Sequence, residues 1–441
     1  MPIRRAARAL LPNMIATRRD LHRHPEMGWL EFRTASLVAQ RLADLGVALQ
    51  LGQQVIATDA RMGVPPDTEL DAAFERAKDQ GAAKAWIKPL RGGYTGVVGT
   101  IENGDGPTIA LRFDMDALGV QETTDDRHRP AREGFVSVNP GVMHACGHDA
   151  HVAAGLGLAE LLTQTARDWR GTVRLIFQPA EEGVRGAKAM VAAGVMEEVD
   201  YLLGHHVMTG WAPGEIMCGL GGYAATHKLD AHFQGIPAHA GGSPQQGHNA
   251  LLAAATAVLN LHAISRHADG ATRVNVGQLG AGSGRNVIPA EAHMVIETRG
   301  ATSDLNAYML AEARCILESA ARMHHCALEM RDMGGAESAD SDPALVRRVE
   351  AIASRQGYAT CSEVEPTGGA EDISYMMKRV QAQGGQAVNL GIGADLSGIS
   401  HKSEDRSGVL AAHTSHFDLC EDAMADAVQL LASLIVSLSQ D

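Results

Sequence analysis

Three short clusters along the chain carry residues able to do metal chemistry. Cys146 and His148 stand two apart in the glycine-containing stretch HACGHDAH, Glu181 and Glu182 are adjacent in QPAEEG, and His205 and His206 are adjacent in GHHV. Thiolate, imidazole and carboxylate are donors that zinc accepts at about 2.0–2.3 Å when they converge on one point. Cys146 and His148 could face such a point if the turn through Gly147 is tight. An adjacent pair of carboxylates at a strand end projects in two directions, so one can ligate a metal while the other moves a proton. An unligated glutamate beside an acidified water is a general-base arrangement. Taken singly, each residue has an ordinary explanation, because a lone Cys or His is more often a packed interior side chain. Their joint placement is what points to a metal site.

The elements around these clusters alternate. TGVVGTI and PTIALRFDMDAL are apolar runs bounded by Gly or Pro and read as strands. HACGHDAHVAAGLGLAELLTQTA reads as a loop entering a helix of small residues. GTVRLIFQPAEEG reads as a strand ending at Pro179, and VDYLLGHHV as another ending in two histidines. Strand, loop and helix in this order predict an α/β fold with a mainly parallel sheet. Ligands in such sheets lie beyond the carboxyl ends of the strands. Asp114 and Asp116, Glu181 and Glu182, and His205 and His206 all fall there. Upstream, RALLPNMIATRRDLHRH reads as an amphipathic helix, residues 31–46 as a second one ending at Gly46, and a Pro-Pro turn leads into a third. The glycines of GGYTGVVG do not match GxGxxG, which leaves nucleotide binding little support.

After residue 222 the pattern changes. KLDAHFQGIPAHAGG alternates and turns, HNALLAAATAVLNLHAIS is helical, TRVNVGQLGAGSGRNVIPAEAHMVIETRG reads as two antiparallel strands, and SDLNAYMLAEARCILESAARMHH is a second helix. The predicted division is a two-part catalytic domain, 1–222 and 332–441, with a smaller α+β domain inserted at 223–331.

At 441 residues the chain is long for one core, and its 45% apolar, 4% aromatic composition predicts an Ala-, Leu- and Val-rich interior. The formal net charge of −14 argues against a nucleic-acid partner. No apolar run reaches the length of a membrane span. The start, MPIRRAARALLPNMIATRRD, lacks the apolar core and cleavage site of an export signal. Six scattered cysteines without CxxC pairs then predict reduced thiols and a cytoplasmic location. Five of them read as small buried residues, Cys146 being the exception, and no nearby resolving cysteine supports thiol exchange.

The motifs MHACGHDAH, IFQPAEEG, GHHV, GIPAHAGGSPQQGHNALLAA, GSGRNVIPAEA and TGGAEDISYMM together resemble the M20 family of metallopeptidases, in particular its amidohydrolase branch. The resemblance runs from RRDLHRHPEMGWLEFRTA to the last helix. It implies a catalytic α/β domain with a lid or dimerisation domain, and two divalent ions bridged by Cys146 as thiolate. His148 and Glu182 would serve one ion, and His206 and a late histidine the other. Glu181 would be the catalytic base and Asp116 a carboxylate that orients a ligand. The family places its last ligand histidine about four residues before a Phe, which in HTSHFDLCED is His413. The preceding connection is longer than usual and contains His401, read as an exposed loop residue; His416 is the other rival. His144 and His151 are left outside the ligand set. In the inserted domain, His239 would reach the scissile carbonyl in a closed dimer, with a solvated loop histidine as the plain alternative. Asn286 and Arg299 occupy positions that hold the substrate's carboxylate or carbonyl, against simple turn chemistry and a strand-surface charge. Glu371 is either near the site or a helix cap.

The reaction implied is hydrolysis of the amide in N-acyl or N-aroyl amino acids, with p-aminobenzoyl-glutamate foremost. Indole-acetyl-aspartate or another conjugate is the alternative, and a third reading is a non-catalytic protein that binds ligand within a heteromeric hydrolase. Donor chemistry suits Zn2+, whereas the resemblance favours Mn2+. The expected partners are a small-molecule amide and a second subunit, identical or homologous, with no nucleic acid and no membrane.

Overall fold

The computed structural model describes residues 2–164, 168–362 and 369–440. In chain order its strands are β1 Ala48–Leu51, β2 Val97–Asn103, β3 Thr108–Asp114, β4 Gly171–Gln178, β5 Tyr201–Met208, β6 Glu215–Leu220, β7 Ala225–Gln234, β8 Thr272–Ala281, β9 Glu291–Gly300, β10 Ala327–Ala336, β11 Ala359–Cys361 and β12 Gln386–Gly393. Its α-helices are α1 Pro2–Arg23, α2 Phe32–Asp44, α3 Asp67–Asp79, α4 Arg129–Glu133, α5 His148–Gln164, α6 Ala187–Ala192, α7 Ala250–His262, α8 Ser303–Met323, α9 Pro343–Gln356, α10 Ile373–Ala382 and α11 Ala423–Leu438.

The chain divides into two compact units. The first comprises residues 1–221, 340–366 and 375–441, and the second 222–339 with 367–374. The first holds an eight-stranded sheet of order β1-β2-β4-β3-β5-β12-β6-β11. Its centre, β4-β3-β5-β12, is parallel, while β1, β2 and β6 join antiparallel neighbours. Central strands covered on both faces are apolar almost without interruption. In β3 and β12 every residue after the first is buried. Helix α5 can lie close on this sheet because its residues are small: a Cβ on Gly155 would sit 2.8 Å from the Phe113 ring. Helices α1 and α11 pack against α5.

Helix α1 starts earlier than the sequence pattern predicts and runs through Pro12. Proline removes a backbone donor there. The added residues include buried Ala7, and Arg8 next to them pairs with Asp422, just before α11, and with Asp426 in its first turn. His205 and His206 lie inside β5, which continues to Met208, and not at its last residues. The cysteines also differ from expectation: of the five outside the site only Cys218 is buried, and Cys315 is exposed.

The second unit is an antiparallel sheet, β10-β7-β9-β8. Its core joins Phe233, Met294 and Ile296 to Ala254, Leu261, Met309 and Leu317 of α7 and α8. Strand β10 crosses residue 331, where the sequence reading divides the chain. Leu328 and Met330 pack on the core while Glu329 and Arg331 alternate outward, and β10 pairs with β7 through Ala336.

Candidate metal centre

Three elements of the first unit bring the donors together. Cys146 and Gly147 form the turn into α5, whose first residue is His148. Gly147 has φ +94°, and a Cβ there would meet Val207 at 2.4 Å, so only glycine permits the tight approach. Glu181 and Glu182 follow β4 in a loop where Ala180 (φ +51°) and Val184 (φ +59°) are left-handed, a conformation costly for residues with a Cβ. Asp116 holds this loop: its Oδ1 accepts from Glu181 N at 3.0 Å and its Oδ2 from Glu182 N at 2.9 Å. His413 is left-handed as well, with φ +64°. Its N–H donates to Ala145 O at 2.7 Å, which ties the late loop to the Cys146 turn.

The result is one cluster. Ligand atoms of Cys146, His148 and His206 lie within 4.8 Å of one another, as do those of Cys146, Glu182 and His413, and those of His148, Glu181 and Glu182. Cys146 belongs to two of these sets. Its Sγ is 3.4 Å from His206 Nε2, and Glu182 Oε1 is 3.4 Å from His413 Nε2.

The hydrogen bonds test whether these residues suit a cation. His148 Nδ1–H donates to Asp116 O at 2.8 Å, and His206 Nδ1–H donates to Val207 O at 2.7 Å. Both rings therefore turn Nε2 toward the cluster, with the other nitrogen fixed by a carbonyl as in metal-ligating histidines. His148 Nε2 and Glu182 Oε1 are buried with no hydrogen-bond partner. Buried polar atoms rarely go unsatisfied, and a divalent cation is the partner this donor set fits.

The electrostatics agree. Burial pushes the Cys146 thiol up, but the charge of His206 and the nearby His148 and His413 rings bring it well below its ordinary value. Burial lowers His206, and the Cys146 charge overrides this to raise it to about 9. Burial likewise opposes the rise of His148, which Asp114 and Asp116 drive. His413, beside Cys146 and Glu182, rises to about 10, although its side chain is 55% exposed and solvent weakens that effect. Burial raises Glu182. The site holds a thiolate among rings whose extra protons a divalent ion would displace.

Of the remaining histidines, His151 forms a further set with Asp114 and His148, their ligand atoms within 4.8 Å of one another, but its ring is engaged. His151 Nδ1–H donates to Asp114 Oδ1 at 2.5 Å, and its Nε2 accepts Val207 N–H at 2.9 Å. Both nitrogens are used, so His151 backs β5 beside His206 without being free to ligate. Arg112 Nη1 donates to the other oxygen of Asp114 at 2.5 Å. His205 lies edge-on to Phe113, on the opposite side of β5 from His206. His144 is buried, and burial lowers its pKa to about 4. His401 corrects the sequence reading: it is no free loop residue. Its ring stacks on Trp211 with centroids 3.9 Å apart, and its Nδ1 is 3.1 Å from Glu215 Oε2. His416 Nδ1 is 3.0 Å from Ser415 Oγ. Neither ring joins the donor cluster.

The second unit places its candidates in its own frame. Ala240 N donates to Asn286 O at 2.9 Å, which sets the His239 turn beside Asn286. His239 Nδ1 accepts from Gly241 N at 3.1 Å and Gly242 N at 2.9 Å, so its proton sits on Nε2. Arg299 forms a forked pair with Glu297 at 3.0 and 3.1 Å. Glu371 Oε1 accepts from Ile373 N at 3.4 Å, at the start of α10; Thr367 and Gly368 of the same motif lie outside the described residues.

Two positioning residues carried no signal in the sequence. Buried Glu31 accepts from Ala180 N at 2.7 Å and Thr95 Oγ1 at 2.6 Å. Burial, then the Asp116 charge, lifts its pKa to about 8. Arg185 donates through Nε to Glu182 O at 2.9 Å. A glutamate before a helix reads as a cap, and an arginine after a Gly-Val pair reads as surface, so no local pattern distinguishes either.

Among the described residues, no helix is long and apolar enough to cross a membrane. Residues 110–437 match the family model for peptidase family M20/M25/M40. The chain is 48% identical to the indole-3-acetyl-aspartic acid hydrolase of Enterobacter agglomerans, over 96% of this chain and 95% of that one. It is 46% identical to one subunit of the p-aminobenzoyl-glutamate hydrolase of Escherichia coli (strain K12), again over 96% and 95%. The crystal structure of an aminobenzoyl-glutamate utilization protein from Klebsiella pneumoniae superposes with a TM-score of 0.82 at 42% identity, covering 99% of this chain and 98% of that one. With the family match spanning the cluster from Cys146 to His413, the chain belongs to peptidase family M20/M25/M40 and is a metallohydrolase of amide bonds.

Proposed function

We propose that the chain hydrolyses the amide between an aromatic acyl group and an acidic amino acid, with p-aminobenzoyl-glutamate as first substrate. The observation that carries this is Glu181 beside the donor cluster, in a chain nearly half identical to two hydrolases of such conjugates. Cys146, His148, Glu182, His206 and His413 would hold two divalent ions, with Cys146 shared. Such ions supply Lewis-acid polarisation of the scissile carbonyl and acidify water. Mn2+ is the metal we favour, and Zn2+ is compatible with the thiolate and imidazole donors.

Glu181 takes the proton of the attacking water and delivers it to the leaving nitrogen. Asp116 fixes the loop that aims both Glu181 and Glu182. His239, with its proton on Nε2, is suited to donate to the carbonyl oxygen as charge develops there. Asn286 and Arg299 hold a substrate carboxylate, Arg299 by exchanging its fork from Glu297. The inserted domain serves as lid and dimerisation domain, and the working assembly is a homodimer or a pair with a homologous subunit, in the cytoplasm.

Purified protein loaded with manganese should release p-aminobenzoate from p-aminobenzoyl-glutamate. An inert result with rapid turnover of indole-acetyl-aspartate would transfer the assignment to that second reading, which the 48% identical relative favours. Failure on every conjugate by metal-loaded protein would support a ligand-binding role without turnover instead.

A further inference from the structure

Buried arginines of the first unit are matched by acids. Arg18 meets Asp149, Asp418 and Glu421, and Arg112 meets Asp114. Half-buried Arg61, like Arg174 and Arg185, has no carboxylate of the described residues at ion-pair distance, and Asp67 acts on it only from farther off. Its guanidinium lies over the Tyr94 ring, 4.0 Å from the centroid. Nη1 donates to Gly92 O at 2.7 Å and Nη2 to Tyr94 Oη at 3.1 Å, and Tyr94 Oη also meets Thr58 Oγ1 at 2.9 Å. Nε is sealed from solvent without an acceptor. The plane is thus fixed, and the second N–H of each Nη is what remains for a planar carboxylate.

The position is adjacent to the catalytic loop. Trp29 Nε1 donates to Met62 O at 2.8 Å, which pins the residue after Arg61. Arg185 donates through Nη1 to Gly63 O at 3.2 Å and through Nε to Glu182 O at 2.9 Å. One guanidinium therefore spans from the Arg61–Gly63 segment to the backbone of Glu182. Resting on the function proposed above, we infer that Arg61 receives the side-chain carboxylate of the substrate's acidic amino acid, and so selects glutamate or aspartate conjugates over their neutral amides.

The test compares p-aminobenzoyl-glutamate with p-aminobenzoyl-glutamine in the wild type, Arg61→Met, Arg61→Lys and Tyr94→Phe. Losing a charge-assisted pair is expected to lower kcat/KM on the glutamate conjugate about 10- to 100-fold, mostly through KM. The glutamine conjugate should change less than about 3-fold, Lys should restore part of the preference, and Phe should weaken it. An equal fall on both conjugates, or an unchanged preference, overturns the inference and leaves Arg61 as a packing anchor. If the wild type cleaves neither, the proposed function fails and calorimetry decides Arg61 separately. N-acetyl-glutamate must bind at least about 10-fold tighter than N-acetyl-glutamine to the wild type, and this gap must vanish in Arg61→Met. No gap in the wild type, or one that survives the substitution, refutes the assignment.

Discussion

Asp116 Oδ2 accepts the backbone N–H of Glu182 at 2.9 Å, while its Oδ1 takes that of Glu181. One side chain thereby orients a candidate ligand and the candidate base through their main chains, in a loop with two left-handed non-glycine residues. Asp116→Asn replaces one acceptor oxygen with an NH2 group that faces an N–H. We expect kcat to fall about 10- to 100-fold and stability by about 1–3 kcal/mol, read from steady-state kinetics and denaturant unfolding. An Asn variant with full activity would show that the loop holds its geometry without this carboxylate.

Glu181→Gln keeps the shape of the side chain and removes its basicity. Turnover should drop by at least about 10²–10⁴-fold, with bound metal per chain unchanged by elemental analysis, because Gln cannot take the proton of water. Surviving activity would assign the base elsewhere, and lost metal would make Glu181 a ligand.

Much of this centre is legible in the sequence because its parts lie in short local motifs. Cys146, Gly147 and His148 are consecutive, Glu181 and Glu182 adjacent, and each motif follows a strand or starts a helix. What stays hidden depends on contacts between distant segments. Glu31 acts on Ala180 across 149 positions, and His401 finds Trp211 only once its loop folds back. The fold follows the same rule. Strand β3 announces itself by a continuous apolar run. Strand β10, with Glu329 and Arg331 on its open face and two glycines at its end, is visible only as an alternation next to its partner β7.

The late histidine can be resolved by metal content. His413→Ala removes a ring that contacts both Cys146 and Glu182, and should lower metal loading and activity at least about 10-fold. His401→Ala removes a stack on Trp211 and a contact with Glu215. It should cost about 1 kcal/mol of stability and leave loading at the wild-type level. Reversal of the two phenotypes in parallel elemental analyses would exchange the assignments.

A buried charge relay beneath α5 predicts the alkaline limb of stability. His22 Nδ1 meets Asp149 Oδ2 at 2.8 Å and its Nε2 meets Glu122 Oε1 at 2.9 Å. Burial alone would lower its pKa, but the hydrogen bonds to Asp149 and Glu122 raise it from 6.5 to about 9. A raised histidine binds its proton more tightly in the folded state. Its contribution is therefore complete below the unfolded value of 6.5 and is lost as pH climbs through about 9. The shift corresponds to roughly 3 kcal/mol. The partner Glu122 gives the opposite limb: burial is outweighed by His128 and His22, its pKa falls from 4.5 to about 2, and its share is complete above 4.5 and lost as pH falls through about 2. In chelator, so that metal binding adds nothing, unfolding free energy should decline between pH 6.5 and 9, and His22→Asn should reduce that slope, leaving the part that His206 and His413 supply, while lowering stability at neutral pH. An identical slope in the variant would place the alkaline titration on another group.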